Sequence, residues 1–188
     1  DVPVQVWLID AAGNADFCIA YVNVQANIVG CDGTATATVA GALAMGAQGV
    51  EQASVEVTGT PNVNLTQMTN GNGAFNFPAV PANGSVTVTP TKDDNPLNGV
   101  TTYDLVLISK HILGLEPLNT PYKMIAADAN RSGSITTFDI VEFRKLILGI
   151  YNELPNNTSW RFVDKSYGFP NPSNPFQNTI PENVSISN

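Results

Sequence analysis

No lysine or arginine occurs before Lys92, so the first half of this chain is weakly acidic and nearly uncharged. The second half holds every basic residue and most of the acids. Charged residues are only 13% of the whole, against the ~25% usual in soluble domains. Eight basic and sixteen acidic side chains leave a formal net charge of −8, which repels nucleic acid and anionic membranes and attracts cations. Histidine occurs once, at His111, so neither a Ser-His-Asp nor a Cys-His arrangement can be drawn, and no catalytic residue is expected. The two cysteines, Cys18 and Cys31, lie in no Cys-x-x-Cys or Cys/His cluster, which argues against zinc. An oxidising compartment would permit a disulfide between them, but their spacing does not require one. Apolar runs long enough to span or insert into a membrane are lacking, as are phosphate-binding Gly loops and dinucleotide fingerprints. No leader-like segment opens the chain, and the strand-like start at Asp1 reads as a piece of something longer.

What is present is apolar enough to fold. Hydrophobic residues make up 43% of the sequence, which excludes disorder driven by charge and polarity. Residues 1–25 read as a β-hairpin. Val4, Val6 and Leu8 alternate with polar or bulky neighbours, a turn follows at Asp10–Asn14, and an extended run returns from Phe17 to Val24. Such a hairpin is marginal alone and must pair with the following domain or another chain. Residues 26–35 read as a linker. From 36 to 91, short runs at Thr36–Leu43, Ala53–Thr58, Gly73–Phe77 and Ser85–Thr89 are separated by Gly, Pro and Asn clusters. Val55 and Val57 flank Glu56, Phe75 and Phe77 flank Asn76, and Val86 and Val88 flank Thr87. One-sided alternation predicts an antiparallel β-sandwich.

After Pro90 the period changes. Thr102–Leu113 places Leu105, Ile108 and Ile112 on one helical face, and Thr137–Leu148 does the same with Ile140, Phe143 and Ile147. Gly114 and Gly149 follow as C-terminal stops. The two segments are copies. Thr101 to Gly114 matches Thr136 to Gly149 residue by residue at an offset of 35. Residues 152–188 are rich in Pro and Asn with scattered aromatics, and read as an extended tail anchored by its rings.

Each copy follows a loop rich in oxygen donors. In Asp128–Asp139, donors fall at positions 1, 3, 5, 9 and 12 (Asp128, Asn130, Ser132, Thr136 and Asp139). Gly133 stands at position 6, and the position-7 carbonyl of Ser134 completes the set. This is the spacing of an EF-hand loop, and calcium takes six to eight such hard oxygens. The first loop, Asp93–Asp104, offers Asp93, Asn95, Thr101 and Asp104 at positions 1, 3, 9 and 12 and the Gly99 carbonyl at 7. Leu97 at position 5 can contribute only through its backbone or a water, and Asn98 replaces the usual glycine. Two calcium ions are therefore expected. With two carboxylates per loop and Asp instead of Glu at position 12, affinity is expected near the ~10⁻⁴–10⁻³ M range of extracellular modules.

Three stretches resemble known families. The order Val39-Ala-Gly, Gly49-Val50, Ala53-Ser-Val-Glu-Val57, Thr69-Asn-Gly-Asn-Gly73, Phe75-x-Phe77, Val80-Pro81 and Val86-x-Val88 resembles the carboxypeptidase regulatory-like, prealbumin-like sandwich across 36–91. Asp10-Ala-Ala-Gly-Asn-Ala-Asp-Phe-Cys18 resembles the closing hairpin of a hyaline-repeat Ig-like domain. The duplicated loop–helix across 92–151 resembles a dockerin, which implies calcium-dependent folding and docking onto a cohesin-like domain. In that family positions 10 and 11 read the partner, which points to Thr102, Tyr103, Thr137 and Phe138. The expected fold is thus mainly β with a small α part: an antiparallel β-sandwich followed by a two-helix dockerin-like calcium module. The expected function is a non-catalytic, structural or adhesive calcium-binding module of an extracellular or cell-surface bacterial protein. Its partners would be other protein modules or copies of itself. Two alternatives are a filament subunit joined by strand exchange, and the anchoring appendage of a secreted glycan-degrading enzyme.

Overall fold

The computed structural model describes Val2–Ile9, Ala15–Val22, 35–60 and 62–187, with only the backbone described in the first two segments. The turn at Asp10–Asn14, the linker to residue 34, and therefore the Cys18–Cys31 question lie outside the described residues.

Among the described residues the chain is mainly β, with antiparallel pairing in every sheet and three short α-helices. Strands β1 (Val2–Ile9) and β2 (Ala15–Val22) form the expected hairpin. One of its two edges, that of β1, is paired by the chain itself. Strand β10 (Arg161–Asp164), far along the tail, pairs with β1 in the register Val6↔Asp164 to Ile9↔Arg161. Strand β3 (Thr36–Ala42) pairs with β8 (Ala74–Pro81), shifted by an irregularity between Ala37 and Val39. Strands β4 (Ala44–Met45) and β5 (Gln48–Gly49) form a two-residue ribbon. The largest sheet has the order β11-β9-β6-β7, from β11 (Val184–Ser187), β9 (Ser85–Thr91), β6 (Ser54–Gly59) and β7 (Val63–Met68).

The alternation read from the sequence fixes which side chains meet. Val55 and Val57 from β6, Phe75, Phe77 and Val80 from β8, Val39 from β3, and Val86 and Val88 from β9 converge in one core. The intervening Glu56 and Asn76 are exposed. Phe162 of β10 is buried in the same core, and Trp160, Val184 and Ile186 pack against it. The tail thus supplies two strands that cover the first core, with a 3-10 turn at Pro175–Gln177 between them.

Strand β7 carries only a short alternation, Val63 and Leu65 against Asn64 and Thr66, and of its six residues only Val63 is buried, so the pattern alone does not single it out. Its evidence is pairing alone, from Ser54↔Met68 to Gly59↔Val63.

Helix α1 (Thr102–Ile112) and helix α3 (Thr137–Ile147) fall where the repeat predicts. Each starts with a capping box. Thr101 or Thr136 caps the N-terminus, and Asp104 or Asp139 at the third helical position returns to the cap's backbone N–H. Both end at a glycine with φ 68°, and the next residue donates back to a lysine carbonyl: Leu115 to Lys110 and Ile150 to Lys145, each at 2.9 Å. Helix α2 (Pro121–Ala127) lies between the two repeats and was not read from the sequence. Thr120 as cap and Pro121 in the first turn are in fact a helix start. Ile108, Phe143, Met124, Val100 and Leu118 form the second core, with Leu105, Ile112, Ile140 and Ile147 around it. Among the described residues no helix is long and apolar enough to cross a membrane.

Candidate metal centre

The loop from Asp128 to Asp139 joins α2 to α3. Asp128 is the C-cap of α2, and the chain then turns through two left-handed residues, Arg131 (φ 55°) and Gly133 (φ 76°). Glycine at the second of these avoids the steric cost of a Cβ in that region. The turn folds the backbone over the Asp128 carboxylate. Its Oδ1 accepts from the Ser132 N–H at 2.8 Å, and its Oδ2 from the Gly133 N–H at 2.8 Å. The Asn130 amide oxygen accepts from the same Ser132 N–H at 3.1 Å. The Ser132 hydroxyl lies 3.2 Å from the Ser134 carbonyl oxygen and donates to it.

Asp139 closes the loop from the far side. Its Oδ2 accepts from the Thr136 N–H at 2.7 Å and from the Thr136 hydroxyl at 3.3 Å. Its Oδ1 reaches back across the loop to the Asn130 N–H at 3.3 Å. The six residues selected by spacing are therefore drawn together by the two acids at positions 1 and 12.

Both acids are withdrawn from solvent, Asp128 to 1% exposure and Asp139 to 0%. Burial pushes the Asp128 carboxyl above its ordinary pKa. The N–H bonds from Gly133 and Ser132 pull the other way, the Asp139 charge adds to the rise, and the Ser132 hydroxyl opposes it. Among the described residues no lysine or arginine pairs with either acid. Arg131, the nearest in sequence, turns away to Glu182 at 2.6 Å. A buried pair of carboxylates without a cationic side chain is costly unless a proton or a metal compensates it. No group of three or more His, Cys, Asp or Glu converges among the described residues. Two carboxylates plus neutral amide, hydroxyl and carbonyl oxygens make a hard, all-oxygen donor set, which suits calcium and not zinc or copper.

The first loop is arranged differently. Asp104 is buried and forms the equivalent capping box, accepting from the Thr101 N–H at 2.7 Å and its hydroxyl at 2.9 Å. No bond from Asp104 reaches the start of the loop. Asp93 is exposed, and its Oδ1 accepts from the N–H and hydroxyl of Ser159 at 2.7 and 2.9 Å. Asn95 (φ 49°) and Gly99 (φ 79°) supply the left-handed residues, while Leu97 remains 46% exposed at position 5. Leu97 and Asn98 stand where the second loop has Ser132 and Gly133, the turn differs, and Asp93 bonds to the tail.

Three tail residues that sequence reasoning did not single out hold these loops. Asn157 donates through its side chain to the Asp128 carbonyl at 2.9 Å. Ser159 binds Asp93 and also donates to the Asp94 carbonyl at 3.0 Å. Glu182 bridges Arg131 of the second loop and Arg161 of β10, accepting from the Arg161 Nε at 2.8 Å. Nothing in the local sequence pattern marks them, because each works through a partner at least 21 positions away.

Thr102, Tyr103, Thr137 and Phe138 are all exposed at the helix starts. Tyr103 and Phe138 belong to a matched set: Val106 with Val141, Leu113 with Leu148, and Leu115 with Ile150 are exposed as well, each pair equivalent in the repeat. His111 accepts the Leu118 N–H at its Nδ1, 3.1 Å away, which tethers the chain after α1. No family model, no curated protein and no solved structure matches this chain.

Proposed function

We propose that this chain is a calcium-stabilised, non-catalytic structural or adhesive module of an extracellular or cell-surface protein. In this reading residues 36–91 form a carboxypeptidase regulatory-like β-sandwich, and 92–151 form a dockerin-like calcium module. The observation that carries it is the second loop, where Asp128 and Asp139 are buried together among neutral oxygens without a cationic partner. Calcium there would be held by Asp128, Asn130, Ser132, Thr136, Asp139 and the Ser134 carbonyl. It would neutralise two charges that otherwise oppose folding, so its binding energy is folding energy. Because Asn157 and Glu182 tie this loop to the tail, and the tail strands cover the first core, the ion would stiffen the joint between the two halves. The first loop is the weaker site, since Asp93 must leave Ser159 to serve as a ligand.

The test is calorimetric titration of the chelator-treated protein with calcium, with thermal melts alongside. A bound ion and a raised melting temperature support the reading; silence at millimolar calcium removes it.

A second reading concerns docking. Eight exposed large apolar residues fall as four equivalent pairs on the two repeats. Packing alone does not require an apolar surface to be copied twice, and duplicated exposed stripes suit a protein partner. That favours the anchoring role, toward a cohesin-like domain, over the filament, for which β10 has already taken the β1 edge of the hairpin and only the outer strand β2 is left. Sedimentation velocity separates the two: a monomer is expected, and concentration-dependent growth would restore the filament.

A further inference from the structure

A cleft of about 300 Å³ opens between the turn that follows β5 and the first loop. It lies away from Asp128–Asp139. Its size falls at the lower end of the ~300–1,000 Å³ typical of ligand pockets. Trp160 lines one side, and the carboxamides of Gln48, Gln52, Asn95 and Asn98 surround it. We propose that this cleft binds a neutral saccharide, with the Trp160 indole as platform and the four carboxamides as hydrogen-bonding partners.

The chemistry of the lining selects the ligand. A pyranose has an apolar C–H face that packs on an indole, and a rim of hydroxyls that both donate and accept. Carboxamides offer both functions in one plane. None of the four carboxamides bonds to another described side chain or backbone group, so their capacity is open to a ligand. Charge narrows the class further. Lys92 lies in the wall, but its Nζ is bonded to Asp94 at 3.0 Å, which cancels it. Glu51 is left as the uncompensated charge, so uronic, sulfated and phosphorylated ligands are disfavoured.

The walls are fixed before any ligand arrives. Gln52 sits at φ 56°, a conformation costly for a residue with a side chain, and Asn95 on the facing wall sits at φ 49°. The buried Thr69 holds the first of these. Its hydroxyl donates to the Val50 carbonyl at 2.6 Å and accepts from the Ala53 N–H at 2.9 Å, while its own carbonyl accepts from the Gln52 N–H at 3.0 Å. The opposite wall is closed by the Asn98 N–H to Asn95 carbonyl bond at 2.9 Å and tied to Ser159 through Asp93. Trp160 is half-buried against the first core, and its carbonyl accepts from the Thr158 hydroxyl at 2.7 Å. Preorganised walls lower the ordering cost of binding a flexible, strongly hydrated ligand.

The test is affinity electrophoresis of the intact chain through gels containing β-glucan, xylan, galactomannan or starch, with polygalacturonate and dextran sulfate as anionic comparisons. Wild type should be retarded by at least one neutral polymer. The double variant Gln48→Ala/Asn98→Ala alters exposed side chains and should keep its melting temperature, while its affinity falls about tenfold or more through the lost hydrogen bonds. Retardation by no neutral polymer, retardation only by the anionic ones, or equal retardation of wild type and double variant overturns the proposal. The cleft does not depend on calcium in the second loop. Calcium should still raise the melting temperature of the double variant through the second loop, which neither substitution touches, so failure of one reading leaves the other standing.

Discussion

The variant Asp128→Asn separates a metal ligand from a mere loop cap. In the metal-free protein the Asp128 carboxyl sits at 1% exposure beside a second buried acid. Its two backbone hydrogen bonds favour the charge, yet burial outweighs them and its carboxyl is pushed upward. Neutralising the side chain removes that penalty. Asparagine keeps one acceptor oxygen for Ser132 or Gly133 and forfeits one charge-assisted bond of ~1.5–3 kcal/mol. The terms oppose each other, so the metal-free variant should lie within about 1 kcal/mol of wild type, in either direction. With calcium the outcomes part. For a dissociation constant of ~10⁻⁴–10⁻³ M, calcium at ~10 mM exceeds it ~10- to 100-fold and adds ~1.4–2.7 kcal/mol to the wild type. In a chain of this size that is roughly 3–10 °C in melting temperature. The variant should lose this gain. Differential scanning calorimetry of both proteins, with chelator and with calcium, measures all four values. The reasoning fails if the variant keeps the calcium-dependent rise, or if it is less stable by more than about 2 kcal/mol without metal. The latter would make Asp128 a capping group.

Other perturbations probe the scaffold. Thr69→Val keeps the shape but strips the hydroxyl from the Val50 carbonyl and Ala53 N–H. It should cost ~1–3 kcal/mol in urea unfolding, and an unchanged midpoint would contradict the buried bridge. Glu182→Ala releases both Arg131 and Arg161. Amide exchange should accelerate in β11 while β6 and β9 stay protected, and uniform protection would show that the bridge holds nothing. Tyr122 is pushed up to about 12 by burial from an ordinary 10.0. The folded state therefore holds this proton more tightly than the unfolded chain. Stability should be unaffected below pH 10 and fall as pH rises from about 10 toward 12. Ultraviolet titration should show one tyrosine ionising later than the rest, and Tyr122→Phe should remove that late step.

Local sequence carried a good deal of this molecule. Period-two alternation at Val55/Val57, Phe75/Phe77 and Val86/Val88 located three strands and the side that each buries, because the pleat sends successive side chains to opposite faces. The offset of 35 located α1 and α3 and their glycine stops, because a helix end depends on residues within one turn of each other. Oxygen donors at fixed spacing selected the second loop for the same reason: Asp128, Ser132 and Gly133 are near neighbours in the chain. The tertiary structure decided what depends on distant partners. It paired β10, which carries little alternation of its own, with β1, and it brought the alternating Val184 and Ile186 of β11 onto the first core beside β9, about 98 positions earlier in the chain. It also turned Asp93 toward Ser159, 66 positions away, so that two loops of similar sequence differ in how their acids are used. The cleft beside Trp160 belongs wholly to this second kind. Its walls come from segments far apart in the chain, and a cavity is a property of how surfaces meet, which no local pattern encodes.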